Sequence, residues 1–191
     1  MKLTLIRHAE VEEKYIGKYN GHNDIGLSEK GKMQAQKLAK YFENEIFDKV
    51  YCSDLKRARE TLKPFVQSKS ALYTDSLREK SWGRHEGLSF DEIVTAEKIQ
   101  YENFEQWISA LDGEEQEAYN KRVQTFFQKQ IFDSDAENIL VVTHGGVMRT
   151  FFSMVKKISF EESYIFELPY ASYLLYDEKS AASKIEICNL F

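Results

Sequence analysis

The apolar positions of this chain change period along its length. Lys2-Leu3-Thr4-Leu5-Ile6 is a short apolar run that stops at the charged Arg7-His8-Ala9-Glu10. Ile139-Leu140-Val141-Val142-Thr143 repeats the arrangement and stops at His144-Gly145-Gly146, and Lys49-Val50-Tyr51-Cys52 runs into Ser53-Asp54-Leu55-Lys56-Arg57. Short continuous runs of this kind predict strands buried in a parallel sheet. Between them the period lengthens. Met33, Ala35, Leu38, Ala39, Phe42 and Ile46 fall at helical spacing behind Ser28, a predicted N-cap. A second helix is predicted from about Leu55 through Leu62 and Val66, with Pro64 disturbing its last turns. Ser89-Phe90-Asp91-Glu92 forms a capping-box pattern, and Phe104, Trp107, Ile108 and Leu111 continue an apolar stripe until Asp112-Gly113 breaks it. Tyr119, Val123, Phe126 and Phe127 mark a further helix, and Val147, Met148, Phe151, Phe152 and Val155 another. Tyr164 to Leu168, Ser172 to Tyr176 and Lys184 to Cys188 are strand-like.

This order predicts an α/β three-layer sandwich around a mostly parallel sheet. Residues 1–191 read as a single domain, with a helical lid insertion at about 86–133. Two glycine-punctuated loops interrupt the regular elements, Val11 to Leu27 and Leu77 to Leu88. Composition adds exclusions. A 42% hydrophobic chain of 191 residues can bury a full core. Its net charge of −5 argues against a nucleic-acid surface built on bulk positive charge. Two cysteines are too few for a disulfide framework, no signal peptide is visible and no apolar run approaches a membrane span. The expectation is a cytoplasmic protein with no nucleic-acid or membrane partner.

Ligands of open parallel sheets gather beyond the carboxyl ends of the strands. Here three such ends carry Arg-His, Ser-Asp-x-x-Arg and His-Gly-Gly, holding two of the four histidines. No phosphate-loop or dinucleotide fingerprint is present, and no G-x-S-x-G elbow. The histidines at 8, 22, 85 and 144 lack zinc-site spacing, which leaves a zinc site assembled from distant residues without support in the pattern. Cys52 and Arg57 are separated by four residues, one too few for the loop of cysteine-dependent phosphatases, so Cys52 is read as a buried strand residue. What remains is His8, His144, Arg7 and Arg57. Arginine forks suit a tetrahedral oxyanion, and a neutral imidazole beside them can attack phosphorus. The departing alkoxide needs an acid, for which Glu79 and Glu10 are candidates, Glu79 being preferred for its place in a glycine-rich loop. His22 and His85 are read as structural or rim residues.

These residues resemble the histidine phosphatase superfamily, the phosphoglycerate mutase-like fold, over nearly the whole chain. Leu5-Ile6-Arg7-His8-Ala9-Glu10 resembles its R-H-G motif, with Ala9 where glycine is usual. The segments Gly21 to Gly31, Ser53-Asp54-Leu55-Lys56-Arg57-Ala58, Leu77-Arg78-Glu79 and Val142-Thr143-His144-Gly145-Gly146 are similar to its other motifs. The resemblance implies His8 as the nucleophile, Glu79 as the acid/base, and Arg7, Arg57 and His144 as the phosphate pocket, without metal or cofactor. A family asparagine is replaced by Lys14, which leaves Lys14 or Asn20 to face the phosphate. The short length and Glu79-Lys80-Ser81-Trp82-Gly83, where mutases show Glu-Arg-His-Tyr-Gly, favour a hydrolase over a phosphoglycerate mutase. Gly17 to His22 and Trp107 look like α-ribazole-5′-phosphate phosphatases of cobalamin assembly. A non-catalytic phosphate-binding module on the same fold is the remaining alternative.

Overall fold

Alternation along the strands sorts their side chains onto two faces of one sheet. The computed structural model describes residues 1–179 and 184–190. Its strands are β1 (Lys2–Arg7), β2 (Lys49–Ser53), β3 (Leu72–Thr74), β4 (Asn138–Thr143), β5 (Tyr173–Asp177) and β6 (Lys184–Cys188), in the order β3-β2-β4-β1-β5-β6. β4 is parallel to both β1 and β2, and β3 to β2, while β5 runs antiparallel to β1 and to β6. The helices are α1 (Glu29–Tyr41), α2 (Lys56–Leu62), α3 (Phe90–Glu97), α4 (Phe104–Ala110), α5 (Gln116–Phe126) and α6 (Gly145–Lys156). Leu3, Leu5, Tyr51, Ile139 and Val141 turn to one face, where Val123 and Phe126 of α5 and Val147 and Phe151 of α6 cover them. Ile6, Val50, Cys52, Leu140 and Val142 turn to the other, against Ala35 and Leu38 of α1 and Ala58 and Leu62 of α2. The result is an α/β fold with helices on both faces of a mostly parallel sheet.

The predicted caps form. Ser28 Oγ accepts from the Gly31 amide, and Ser89 and Glu92 exchange the two bonds of a capping box at the start of α3. α2 ends at Leu62, short of Val66, because Pro64 cannot continue it; a 3₁₀ turn over Val66–Ser70 follows. α1 ends at Tyr41, so Ile46 lies beyond it and is 82% exposed, and Met33 also faces solvent. The strand expected at Tyr164 to Leu168 does not form. A 3₁₀ helix spans Glu162–Ile165 instead, closed by reciprocal bonds between Ser159 and Glu162 at 2.7 and 3.0 Å. With Ile165 76% exposed, the apolar alternation there has no buried face to hold it extended. β3, which the pattern did not predict, is a three-residue edge strand with Leu72 and Tyr73 exposed.

Candidate active site

Because β2, β4 and β1 are neighbours, their carboxyl ends deliver Ser53, His144 and Arg7-His8 to one place. Arg7 lies in register with Thr143, whose carbonyl accepts from the His8 amide at 2.8 Å. The rings of His8 and His144 have centroids 5.2 Å apart. His8 Nδ1 is 2.8 Å from the Ala9 carbonyl. A carbonyl only accepts, so Nδ1 carries the proton and Nε2 keeps its lone pair. Burial, reinforced by the charges of Arg57 and Arg7, holds the His8 pKa well below its ordinary value. The loop after β1 is pinned by Ala9 N–H to Thr61 Oγ1 at 2.9 Å and Glu10 N–H to Gln34 Oε1 at 3.0 Å. The Glu10 carboxylate accepts from Ser28 and Lys30 and so orders this loop.

Arg57 and His144 are both fully buried and do not line the cavity that His8 lines. They form a layer beside the His8 ring. Arg57 Nε donates to His144 Nδ1 at 3.2 Å, which leaves the proton on Nε2, 2.8 Å from Ser53 Oγ. The rest of the guanidinium binds the carbonyls of Asn23, Asn20 and Gly21 at 2.9, 3.0 and 2.7 Å. Burial pulls the Arg57 pKa down to about 10, so the group stays charged at neutral pH. Arg7 does line the cavity. Its Nη1 donates to the Leu168 carbonyl, its guanidinium lies 4.4 Å from the Tyr170 ring centroid, and its buried Nε has no partner among the described residues. Arg7 is the guanidinium that the cavity wall itself presents, and such a group suits an anion's oxygens.

Glu79 faces the same cavity from the opposite loop. Its Oε2 accepts from the Gly146 amide at 2.9 Å, in the first turn of α6. Its Oε1 accepts from the Tyr119 hydroxyl and the Lys80 amide, both at 3.0 Å. Gly146 permits this approach, since a Cβ there would sit 2.2 Å from Glu79 Oε1. Burial, with the nearby Glu79 charge, pushes the Tyr119 pKa well above its ordinary value, so the phenol stays a donor.

The cavity has a volume of about 180 Å³, and six aromatic side chains share its wall with the polar groups: Tyr19, Trp82, Tyr119, Phe160, Tyr164 and Tyr170. Asn20 also lines it, but its amide is committed to the Tyr15 carbonyl at 2.6 Å and its Oδ1 to Asn23 at 3.1 Å. Lys14 is exposed and pairs with Glu12 at 3.6 Å, away from the cavity. Trp107 does not reach the cavity; its Nε1 donates to the Tyr19 hydroxyl at 2.7 Å and so braces a residue that does. His22 supports the Glu79 carbonyl through Nε2 at 3.1 Å, and His85 links Asp112 to Glu97. Cys52 is buried in β2, as its strand position implied. Tyr119, Tyr164, Tyr170 and Lys80 escaped the sequence as candidates. The only signal for Tyr119 was a hydroxyl in an otherwise apolar stripe, which must find a partner when buried.

Fold and pocket together are those of an α/β enzyme that handles phosphate esters. The sequence model of the histidine phosphatase superfamily (branch 1) matches residues 3–190, and the chain belongs to that family. It is a phosphatase. It is 32% identical over 153 residues to the adenosylcobalamin/α-ribazole phosphatase of Salmonella typhimurium, covering 78% of this chain and 76% of that one. It is 30% identical over 181 residues to phosphoserine phosphatase 1 of Hydrogenobacter thermophilus, covering 91% and 84%. Among solved structures, the α-ribazole phosphatase of Shigella flexneri superposes with a TM-score of 0.80 at 25% identity, over 97% of this chain and 95% of that chain. Among the described residues, no helix is long and apolar enough to cross a membrane.

Proposed function

We propose that the protein is a metal-independent phosphomonoesterase that hydrolyses a small phosphorylated metabolite through a phosphohistidine at His8. The observation that carries this is the Nδ1–H bond from His8 to Ala9, beside two guanidiniums, which leaves a neutral Nε2 with no partner among the described residues. Its lone pair attacks phosphorus as the ester P–O bond breaks, and protonated Glu79 gives its proton to the departing alkoxide. Glu79, now a carboxylate, takes a proton from water as that water attacks the phosphorus. The P–N bond breaks, and inorganic phosphate and neutral His8 return. Arg7 supplies donors to the phosphoryl oxygens, and the Arg57 charge acts through its neighbours His8 and His144. The helices between Glu86 and Asp133 serve as the cover of this site.

α-Ribazole 5′-phosphate is the particular substrate that the Gly17 to His22 segment and the names of two of these similar proteins bring forward, and the aromatic wall suits a base that stacks. Mixing the protein with a ³²P-labelled phosphomonoester and quenching in alkali should trap an acid-labile phosphoenzyme. His8→Ala should abolish it, Glu79→Gln should slow turnover by about 10²–10⁴, and a chelator should change nothing. A His8→Ala variant that still turned over substrate would overturn the mechanism. Parallel assays on α-ribazole 5′-phosphate and for mutase activity on 3-phosphoglycerate separate the substrate and reaction alternatives.

A further inference from the structure

A phosphoryl group in transfer spreads its charge over three equatorial oxygens, and one arginine does not cover them. Arg57 stands behind His8, so of the two guanidiniums only that of Arg7 reaches the cavity wall. Other polar side chains of the wall are turned elsewhere. Lys18 pairs with Glu92 at 3.0 Å, the Lys80 ammonium lies 4.5 Å from the Trp82 ring centroid, and Gln116 donates to Asn120 at 3.1 Å. The Tyr119 hydroxyl is held by Glu79 at 3.0 Å, and that of Tyr19 accepts from Trp107 at 2.7 Å. Tyr170 is turned to the nucleophile. Its ring lies 5.5 Å from the His8 imidazole, centroid to centroid, and its centroid is 4.4 Å from the Arg7 guanidinium carbon. The backbone enforces this placement. The turn that carries Tyr170 is stitched to the strand end that carries His8: the Arg7 amide donates to the Ser172 carbonyl at 2.9 Å, the Ala171 amide to the His8 carbonyl at 3.1 Å, and the Arg7 side chain to the Leu168 carbonyl. Ala171, fully buried, takes a φ of +58°, left-handed backbone that costs free energy for a residue with a β-carbon. Such a conformation persists where its surroundings over-determine it, and here they press the neighbouring phenol against His8. Burial lowers the Arg7 pKa, and the Tyr170 oxygen is the largest influence opposing it; after burial, Glu79 and Glu86, the same oxygen also acts on Arg57. The hydroxyl thus stands among the charges that draw a phosphate, on the wall of a cavity of only about 180 Å³.

We infer that the Tyr170 hydroxyl is a further catalytic group of this site, donating a hydrogen bond to a nonbridging oxygen of the phosphoryl group as that group passes to and from His8. This rests on the phosphohistidine reading and adds a donor to it. No proton is transferred, because the phenol keeps its hydrogen through both steps and bonds to charge on the equatorial oxygens. That charge is common to every ester. The contribution is therefore the same for alkyl and aryl substrates, unlike that of the proton Glu79 supplies.

Tyr170→Phe removes one oxygen and keeps the ring against His8, so its urea midpoint should match that of wild type. Its kcat/KM should fall by roughly tenfold to a hundredfold, and by the same factor on glycerol 3-phosphate and on p-nitrophenyl phosphate. Affinity for vanadate, which takes up the five-coordinate geometry of phosphoryl transfer, should fall by a similar factor, and affinity for inorganic phosphate by less. Tyr170→Leu, which loses the ring as well, should be at least as impaired. A Tyr170→Phe protein that turns over both esters like wild type would overturn the inference, whatever Tyr170→Leu does, since the ring alone would then account for the residue. A loss confined to glycerol 3-phosphate would also overturn it, because the hydroxyl would then be serving Glu79. Calorimetric vanadate binding to wild type and to Tyr170→Phe separates the two layers of the argument. An affinity that depends on the hydroxyl supports the donor even if no phosphohistidine can be trapped, while one that does not counts against the donor even if turnover proceeds.

Discussion

Glu79 has little freedom to turn, because three donors from three different elements hold its two oxygens. The Gly146 amide belongs to α6, the Tyr119 hydroxyl to α5 and the Lys80 amide to its own loop. Of these only the Tyr119 bond depends on a side chain, so it can be removed without touching the backbone. Tyr119→Phe leaves the buried ring in place and frees Oε1 of one donor. A carboxyl that must meet a leaving oxygen in one direction then loses part of its aim. The expected result is a drop in kcat of roughly tenfold for alkyl phosphates, whose alkoxides need the proton. p-Nitrophenyl phosphate, whose leaving group is stable as an anion, should be turned over nearly as before. A uniform loss on both esters would mean that Tyr119 supports the fold and has no part in aiming the acid.

Between the elements, Arg57 does the joining. It lies in the first turn of α2 and holds three carbonyls of the Asn20 to Asn23 loop while also fixing His144 at the end of β4. Arg57→Lys keeps the charge but cannot span four acceptors, and the abandoned carbonyls lie in buried or half-buried surroundings. The expected cost is about 2–3 kcal/mol of stability, read as a lower urea midpoint with an unchanged m-value, together with a loss of activity. Elements of this kind were legible in the sequence to the extent that burial is periodic. β1, β2, β4 and α6 follow from runs and stripes that end at glycine or charge, and Ser28 and Ser89 announce their helices by local chemistry. Tyr164 to Leu168 misled because an alternating pattern carries no mark of whether a neighbouring strand exists to cover it. β3 was invisible for the converse reason, since pairing with Tyr51, Cys52 and Ser53 of β2 holds three residues that bury little. The convergence of Arg7, His8, Arg57 and His144 was legible because strand ends of one parallel sheet share an edge, whereas Glu79 came forward only through its glycine-rich loop and the family resemblance. That Arg57 and His144 stand beside His8 instead of on the cavity wall was not, because acceptors such as the Gly21 carbonyl are long-range backbone partners that no residue type reveals.

For the molecule as a whole, gathering two neutral imidazoles with two guanidiniums in one buried cluster ties stability to pH. Burial comes first among the causes for both His8 and His144, with the Arg57 charge next, and each pKa is held well below 6.5 in the folded state. In the unfolded chain both rings titrate near 6.5. Above that pH neither state binds the protons, and the two histidines leave stability unchanged. Below it the unfolded chain takes up protons that the folded protein refuses, so stability falls as pH falls until the folded pKa values are reached. The slope should be roughly 1.4 kcal/mol per pH unit for each ring once the unfolded chain is fully protonated. Urea unfolding at pH 7.5, 6.5 and 5.5 should therefore show a decline through the last interval. In His8→Ala that decline should shrink by the share of one proton, because only His144 of the pair remains to be charged on unfolding. An identical pH dependence in wild type and His8→Ala would mean that His8 is already protonated in the folded protein, a state in which its Nε2 has no lone pair to offer phosphorus.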